Sequence, residues 1–240
     1  MIMTLCPQLR RYVKLIIRSE VGRPVRHLPR RRAGRSGRAP APGRPVRHLA
    51  RRWRTMGAMP TELKERLVEL FRWVDPDPDA SHLVSDISGW WRDPVTLAAL
   101  GPALVAPFRS AQPTVVVAPA VTGFLLGPLA ATALGVGFVA AHKPGDGRLP
   151  AGPLTWAQSP PDFRGRRVDL AVRDQHLGPD DRVLVVDDWV ATAAQVRALY
   201  DICAARGAEP IGTSTIVLGC PPALAADLRI HALLTATDLG

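Results

Sequence analysis

The sequence predicts an α/β fold, with a central mostly parallel sheet of about five strands flanked by helices. Three observations carry that expectation. Val183, Leu184, Val185 and Val186 form an apolar, largely β-branched run without polar alternation, as expected of a strand covered on both faces. Strand-like and helix-like segments then alternate along the chain, as βαβ units require. Finally, Asp187 and Asp188 follow the Val183–Val186 run and lead through a short small-residue turn into a helical pattern, which sets charge at a strand's carboxyl end, where open α/β sheets bind ligands.

The elements follow in order. Leu63, Leu67, Leu70, Phe71 and Val74 recur at helical spacing behind Thr61, which can serve as N-cap. Val115 to Ala118 reads as a buried strand. Phe124 to Leu134 reads as a helix stopped by Gly135, and Phe138 to Ala141 as the next strand. Further strands are expected at Arg167 to Val172, Arg182 to Val186 and Ile211 to Leu218, with a helix from Ala191 to Arg206. Between Lys143 and Arg166 the pattern fails, because five prolines and four glycines interrupt it. A loop of that length inside a compact domain is usually functional or disordered.

The stretch from Arg182 to Val196, RVLVVDDWVATAAQV, carries the chemistry. From Ala191 to Gln195 every side chain is small or polar, so the backbone N–H groups that open the next helix can approach an anion closely. A diol on the two carboxylates and a phosphate on the turn suit one molecule, a ribose 5-phosphate.

Composition bounds the rest. At 240 residues and 47% apolar, the chain can bury a sizeable core. Residues 1–59 hold 16 of the 31 Lys and Arg against Glu20 as their one acid, a net +15. The remainder holds 15 basic and 20 acidic residues, a net −5, so the pI of about 10.8 belongs to the leading segment. That segment contains GRPVRHL twice, at Gly22 to Leu28 and Gly43 to Leu49. With few large apolar residues it cannot repay the entropy of ordering, and it is expected to be disordered. Two readings of it stay open: a basic arm able to contact nucleic-acid phosphates, or translated upstream sequence with the true start at Met56 or Met59. The arm has neither interleaved aromatics nor helical periodicity, so nucleic acid is not the expected partner. The domain proper is then 60–240. Cys6, Cys203 and Cys220 have no metal-ligand spacing and suit reduced thiols in a cytoplasm. No apolar run approaches the roughly 18 residues of a membrane span.

Four motifs, in order, carry a family resemblance. VDDWVATAAQ resembles the phosphoribosyl pyrophosphate motif of type I phosphoribosyltransferases, specifically the adenine phosphoribosyltransferase branch, which reads roughly VDD, two hydrophobics, ATGGT. Upstream, SDIS at Ser85 to Ser88 with RDP at Arg92 to Pro94 resembles the hood segment. TGFLLG at Thr122 to Gly127 resembles the pyrophosphate loop, and HKPGDGRLP at His142 to Pro150 resembles RKPGKLP. The resemblance spans about residues 60 to 235 and implies the type I phosphoribosyltransferase fold with a small hood and a mobile flap. It implies a purine phosphoribosyltransferase of the adenine-like type, with Mg²⁺ as cofactor, phosphoribosyl pyrophosphate and a purine base as partners, and a homodimer.

Site residues carry over position by position. The resemblance implies that Asp187 and Asp188 hold the ribose hydroxyls, and that Ala191, Thr192, Ala193, Ala194 and Gln195 form the 5′-phosphate loop. Val121, Thr122 and Gly123 fall on the pyrophosphate loop, with Lys143 and Arg148 as cations and His142 standing for a second arginine. Val84 and Ser85 fall on the base-reading hood. No direct protein ligation of the metal is expected, since Mg²⁺ can use the substrate's own oxygens. Departures are specific. Ala193 and Ala194 replace two glycines, Gln195 a threonine, Thr122 an arginine and Val84 a phenylalanine, and the usual flap acid is missing, with Asp162 the nearest substitute. Trp90, Trp91 and Trp189 read as packing or subunit-contact residues. The same departures allow a second function, a non-catalytic phosphoribosyl pyrophosphate or nucleotide sensor that regulates a partner.

Overall fold

A computed structural model describes residues 60–75, 83–145, 151–162 and 165–240. The basic leading segment, with both GRPVRHL copies and Cys6, lies outside the described residues.

The chain opens on helix α1 (Pro60–Leu70), whose Leu63 and Leu67 are buried. The helix takes in Thr61 and stops before Phe71, so Val74 lies on strand β1 (Arg72–Val74) and not on the helical face its spacing suggested. Strand β1 pairs antiparallel with β2 (Val84–Asp86) to make a small two-stranded hood. Two helices follow, α2 (Ser88–Arg92) and α3 (Pro94–Val105). Asp93 caps α3: its carboxylate accepts from the Thr96 N–H at 2.8 Å, and Pro94 takes the first helical position, where a missing N–H costs nothing.

The central sheet has five parallel strands in the order β4 (Gly137–Ala141), β3 (Val115–Pro119), β7 (Arg182–Val190), β8 (Glu209–Leu218) and β9 (Ile230–Thr235). Helix α4 (Gly123–Leu134) links β3 to β4 and ends at Gly135 in the left-handed conformation, φ 78°, as the sequence predicts. Helix α5 (Ala194–Arg206) links β7 to β8 and ends likewise at Gly207. A short helix, α6 (Pro222–Asp227), leads into β9.

Alternation along the strands sorts the core into two layers. Val116, Leu184 and Val186 pack with Leu67, Leu100, Leu104 and Leu126 of the helices on one face. Val115, Val117, Val183 and Val185 pack with Leu199, Ile202 and Cys203 of α5 on the other. Where α3 meets α4 the backbones touch: a Cβ on Gly101 would lie 2.5 Å from the Leu129 carbonyl oxygen. Phe138 closes similarly on Gly127.

Three expectations change. The predicted strand at Arg167 to Val172 is β6 (Asp169–Arg173), and it lies outside the central sheet, paired antiparallel with β5 (Leu154–Gln158). The fifth place in the sheet belongs to β9. The segment 143–166, read as irregular, therefore contains β5, and β5 with β6 forms a hairpin anchored to the sheet edge by mutual backbone bonds between His142 and Ala171, at 2.8 and 2.9 Å. Strand β7 also runs on to Val190, supported by Trp189 and Val190 pairing with Val217 and Leu218, so the two aspartates sit inside the strand and helix α5 starts only at Ala194.

Candidate active site

Strand order fixes where a ligand can bind. The chain leaves β3 for β4 on one side, then returns by way of the hairpin to β7 on the other side of β3, so connections diverge at the carboxyl ends of β3 and β7. Such a divergence opens a crevice there. A cavity of about 620 Å³ occupies it.

Its wall brings together Lys143, Asp187 and the whole run Ala191 to Gln195, all named from sequence as site residues. Asp188, Val121, Thr122, Gly123, Val84 and Ser85 do not line this cavity, and Arg148 lies outside the described residues. Thr122 is the residue before the first turn of α4, Val121 is 76% exposed, and Val84 and Ser85 are half-buried on β2.

Asp187 is buried, and its Oδ1 accepts the Asp188 backbone N–H at 2.9 Å. Burial, then the charge of Asp188, push the Asp187 carboxyl well above the ordinary carboxylate range, while Lys143 across the cavity pulls it down. A carboxyl buried in this way on a cavity wall makes Asp187 a candidate ligand-binding residue.

The turn that leads into α5 shows how the two alanines sit where the resembled motif has glycines. Ala193 adopts φ 57°, ψ 14°, the left-handed region, and Ala194 is the first residue of α5 with ordinary helical geometry. One replacement is therefore strained and the other is not. Thr192 Oγ1 accepts the Ala194 N–H at 3.4 Å, and the Gln195 Oε1 is buried among the described residues without a hydrogen-bond partner. A small-residue turn at the N-terminus of a 13-residue helix is a setting that favours an anion.

The hairpin supplies wall residues that sequence reasoning did not single out: Ser159, Arg166, Arg167, Val168 and Asp169. The signal was the charge of the Arg166–Arg167 pair, which straddles the end of the irregular segment and the start of the strand expected at Arg167 to Val172. Asp162 also lines the cavity, but its carboxylate accepts the Arg166 backbone N–H at 2.9 Å and pairs with the Arg166 guanidinium at 3.2 Å. It shapes the hairpin tip. Trp90 is fully buried and donates to the Leu67 carbonyl at 2.8 Å, a packing role as expected. Trp189 does more, because its ring packs at a tilt against both Phe71 and Trp73, with centroids 6.3 Å apart, and it also lines the cavity.

The doubly wound sheet, its hood and the loop from β7 into α5 place the molecule among the type I phosphoribosyltransferases. It is 33% identical over 158 residues to the adenine phosphoribosyltransferase of Streptomyces coelicolor, covering 66% of this chain and 84% of that protein. The adenine phosphoribosyltransferase of Methylococcus capsulatus is 37% identical over 143 residues, 59% of this chain and 81% of its own length. Among solved structures, the Giardia lamblia enzyme in complex with 9-deazaadenine superposes with a TM-score of 0.61 at 26% identity, covering 72% of this chain and 97% of that one. The chain belongs to the adenine phosphoribosyltransferase family. No protein-family model matches it. Among the described residues no helix is long and apolar enough to cross a membrane.

Proposed function

We propose that this protein transfers a 5-phosphoribosyl group from phosphoribosyl pyrophosphate to adenine, giving a nucleoside 5′-monophosphate and pyrophosphate. The observation that carries this reading is the convergence of the loop Ala191 to Gln195, Asp187 and Lys143 on one cavity at the sheet's switch point. In the reaction the bond from the anomeric carbon to pyrophosphate breaks and its electron pair leaves with the pyrophosphate, a bond from that carbon to a ring nitrogen of the base forms, and the base's N–H proton passes to the pyrophosphate or to solvent.

The protein's part is positioning and charge control. Loop N–H groups and Thr192 bind the 5′-phosphate, which fixes the sugar. Asp187 and Asp188 hold the ribose hydroxyls and place negative charge near an anomeric carbon that becomes cationic as the leaving group departs. Lys143 and the turn Val121–Thr122–Gly123 receive the pyrophosphate. Main-chain groups of Val84 and Ser85 in the hood read the base, and Trp189 supplies aromatic surface that Val84 lacks. The oxygen-rich donor set of the two aspartates suits Mg²⁺, which would neutralise pyrophosphate charge while resting mainly on substrate oxygens. The hairpin of β5 and β6 covers the reacting centre and excludes water from it.

We also infer a homodimer through α4. Leu125, Pro128 and Thr132 of α4 are exposed at spacings of three and four, with exposed Val121 on the turn just before the helix, so one uncharged stripe faces outward, and a second copy can cover it about a two-fold axis.

The test is turnover by the purified chain with Mg²⁺, phosphoribosyl pyrophosphate and a panel of purines. Adenine is expected to yield AMP and pyrophosphate in equal amounts. Binding of phosphoribosyl pyrophosphate with no pyrophosphate release for any purine would overturn the reading.

A further inference from the structure

The cavity wall contains three cations, Lys143, Arg166 and Arg167, and they are not equivalent. Arg166 is committed to the hairpin itself, through its 3.2 Å ion pair with Asp162 and the bond from its own N–H to the same carboxylate. That pairing closes the tip, together with the Asp162 N–H donating to the Arg166 carbonyl at 2.8 Å and the Gly165 N–H donating to the Asp162 carbonyl at 2.9 Å. Asp169, the nearest acid in sequence beyond Arg167, accepts from the Gln158 amide at 3.0 Å. Arg167 is different. Its guanidinium reaches the Ser159 carbonyl at 3.5 Å, a long contact, and among the described residues no carboxylate lies within ion-pair distance of it.

A guanidinium without a carboxylate, held on a cavity wall by a braced hairpin, is matched to an anion that arrives with the ligand. The 5′-phosphate already has the loop Ala191 to Gln195. The pyrophosphate has less, because Thr122 offers no charge. We propose that Arg167 is a pyrophosphate-binding residue, acting from the flap in place of a cation that the turn at Thr122 does not supply. This rests on the phosphoribosyltransferase reading, and it implies that the flap contributes charge to the leaving group as well as cover. The Asp162–Arg166 pair is then the brace that presents Arg167.

Calorimetric titration of inorganic pyrophosphate with Mg²⁺ into the full chain, alone and with AMP bound, tests this. Arg167→Gln should weaken pyrophosphate about tenfold, as expected for one charge-assisted contact. Affinity for AMP alone should be unchanged, and Arg167→Lys should recover part of the loss, since a lysine restores charge without the bidentate fork. The KM for phosphoribosyl pyrophosphate should rise in parallel with Arg167→Gln, while that for adenine stays put. Unchanged pyrophosphate affinity in Arg167→Gln would overturn the assignment, as would an equal loss for AMP, which would mean a diffuse field rather than a contact. A wild-type chain that binds pyrophosphate through Arg167 yet forms no AMP would support this assignment and sink the transferase reading, so the two fail separately.

Discussion

Asp187 ties stability to function at the level of one side chain. Burial and Asp188 raise its pKa above the unfolded value, so the fold favours the protonated form. The stability this supplies is complete below the unfolded carboxylate range and is lost as the pH climbs through the raised folded value. Asp187→Asn should therefore lessen the loss of stability that wild type suffers as the pH rises above the ordinary carboxylate range, while Asp187→Asn with Asp188→Asn abolishes Mg²⁺-dependent binding of phosphoribosyl pyrophosphate. Thermal unfolding across pH and calorimetry read both; a variant that loses stability on raising the pH as steeply as wild type would remove Asp187 from this account. Ala193 offers a second test. At φ 57° an alanine is strained, so Ala193→Gly should stabilise by up to about 1 kcal/mol, whereas Ala194→Gly, in helical geometry, should cost roughly 0.5–1 kcal/mol. Chemical denaturation separates them, and equal effects would place the strain elsewhere. The loop Ala191 to Gln195, Asp187 and Lys143, all named from sequence, meet on one cavity wall because each lies in or just beyond the carboxyl-terminal part of a sheet strand, whereas Asp188 does not line it. The place of Arg167 on that wall depends on a hairpin pairing across eleven residues that no local pattern reveals.

Among the elements, α3 depends on its cap. Asp93 accepts the Thr96 N–H at 2.8 Å and hydroxyl at 2.7 Å and takes both prongs of Arg66, at 3.2 and 3.0 Å. The Arg66 bonds, then those from Thr96, hold the Asp93 carboxyl down at about 2. Its stabilising effect is full above the ordinary carboxylate range and fades as the pH falls toward 2, the opposite direction to Asp187. Asp93→Ala should cost about 1–2 kcal/mol at neutral pH, and the gap from wild type should narrow in acid; a gap that stays constant down to pH 2 would remove the ionised cap from the account. Element legibility follows length and burial. Buried strands β3 and β7 and helix α4 with its Gly135 stop are written in long apolar runs. The hood strands have three residues each, β5 is flanked by prolines, and β9 buries mainly Leu234 at a sheet edge, so their identity comes from pairing partners distant in sequence.

At the scale of the whole molecule, the sheet order puts the carboxyl ends of β3 and β7 side by side, and the first residues of α4 sit on the turn that follows β3. Any contact that braces α4 therefore also braces Val121, Thr122 and Gly123. The exposed stripe formed by α4 and the turn before it is apolar where it is most exposed, with Val121 of the turn at 76% and Leu125 of the helix at 52%, and it carries no charge that would oppose burial against a copy of itself. In an isologous pairing each α4 would cover the other, so a single charge is introduced twice and meets its own image in a desolvated contact. Leu125→Asp should for that reason convert a particle of twice 25.9 kDa into one of 25.9 kDa by analytical ultracentrifugation at micromolar concentration, with the circular dichroism spectrum unchanged because Leu125 contributes little to the core. Affinity for pyrophosphate should fall in the monomer, through the loosened turn at Thr122, while affinity for AMP at the β7 loop stays. A wild type that sediments as a monomer, or a Leu125→Asp variant that keeps the dimer mass, would remove this face from the assembly.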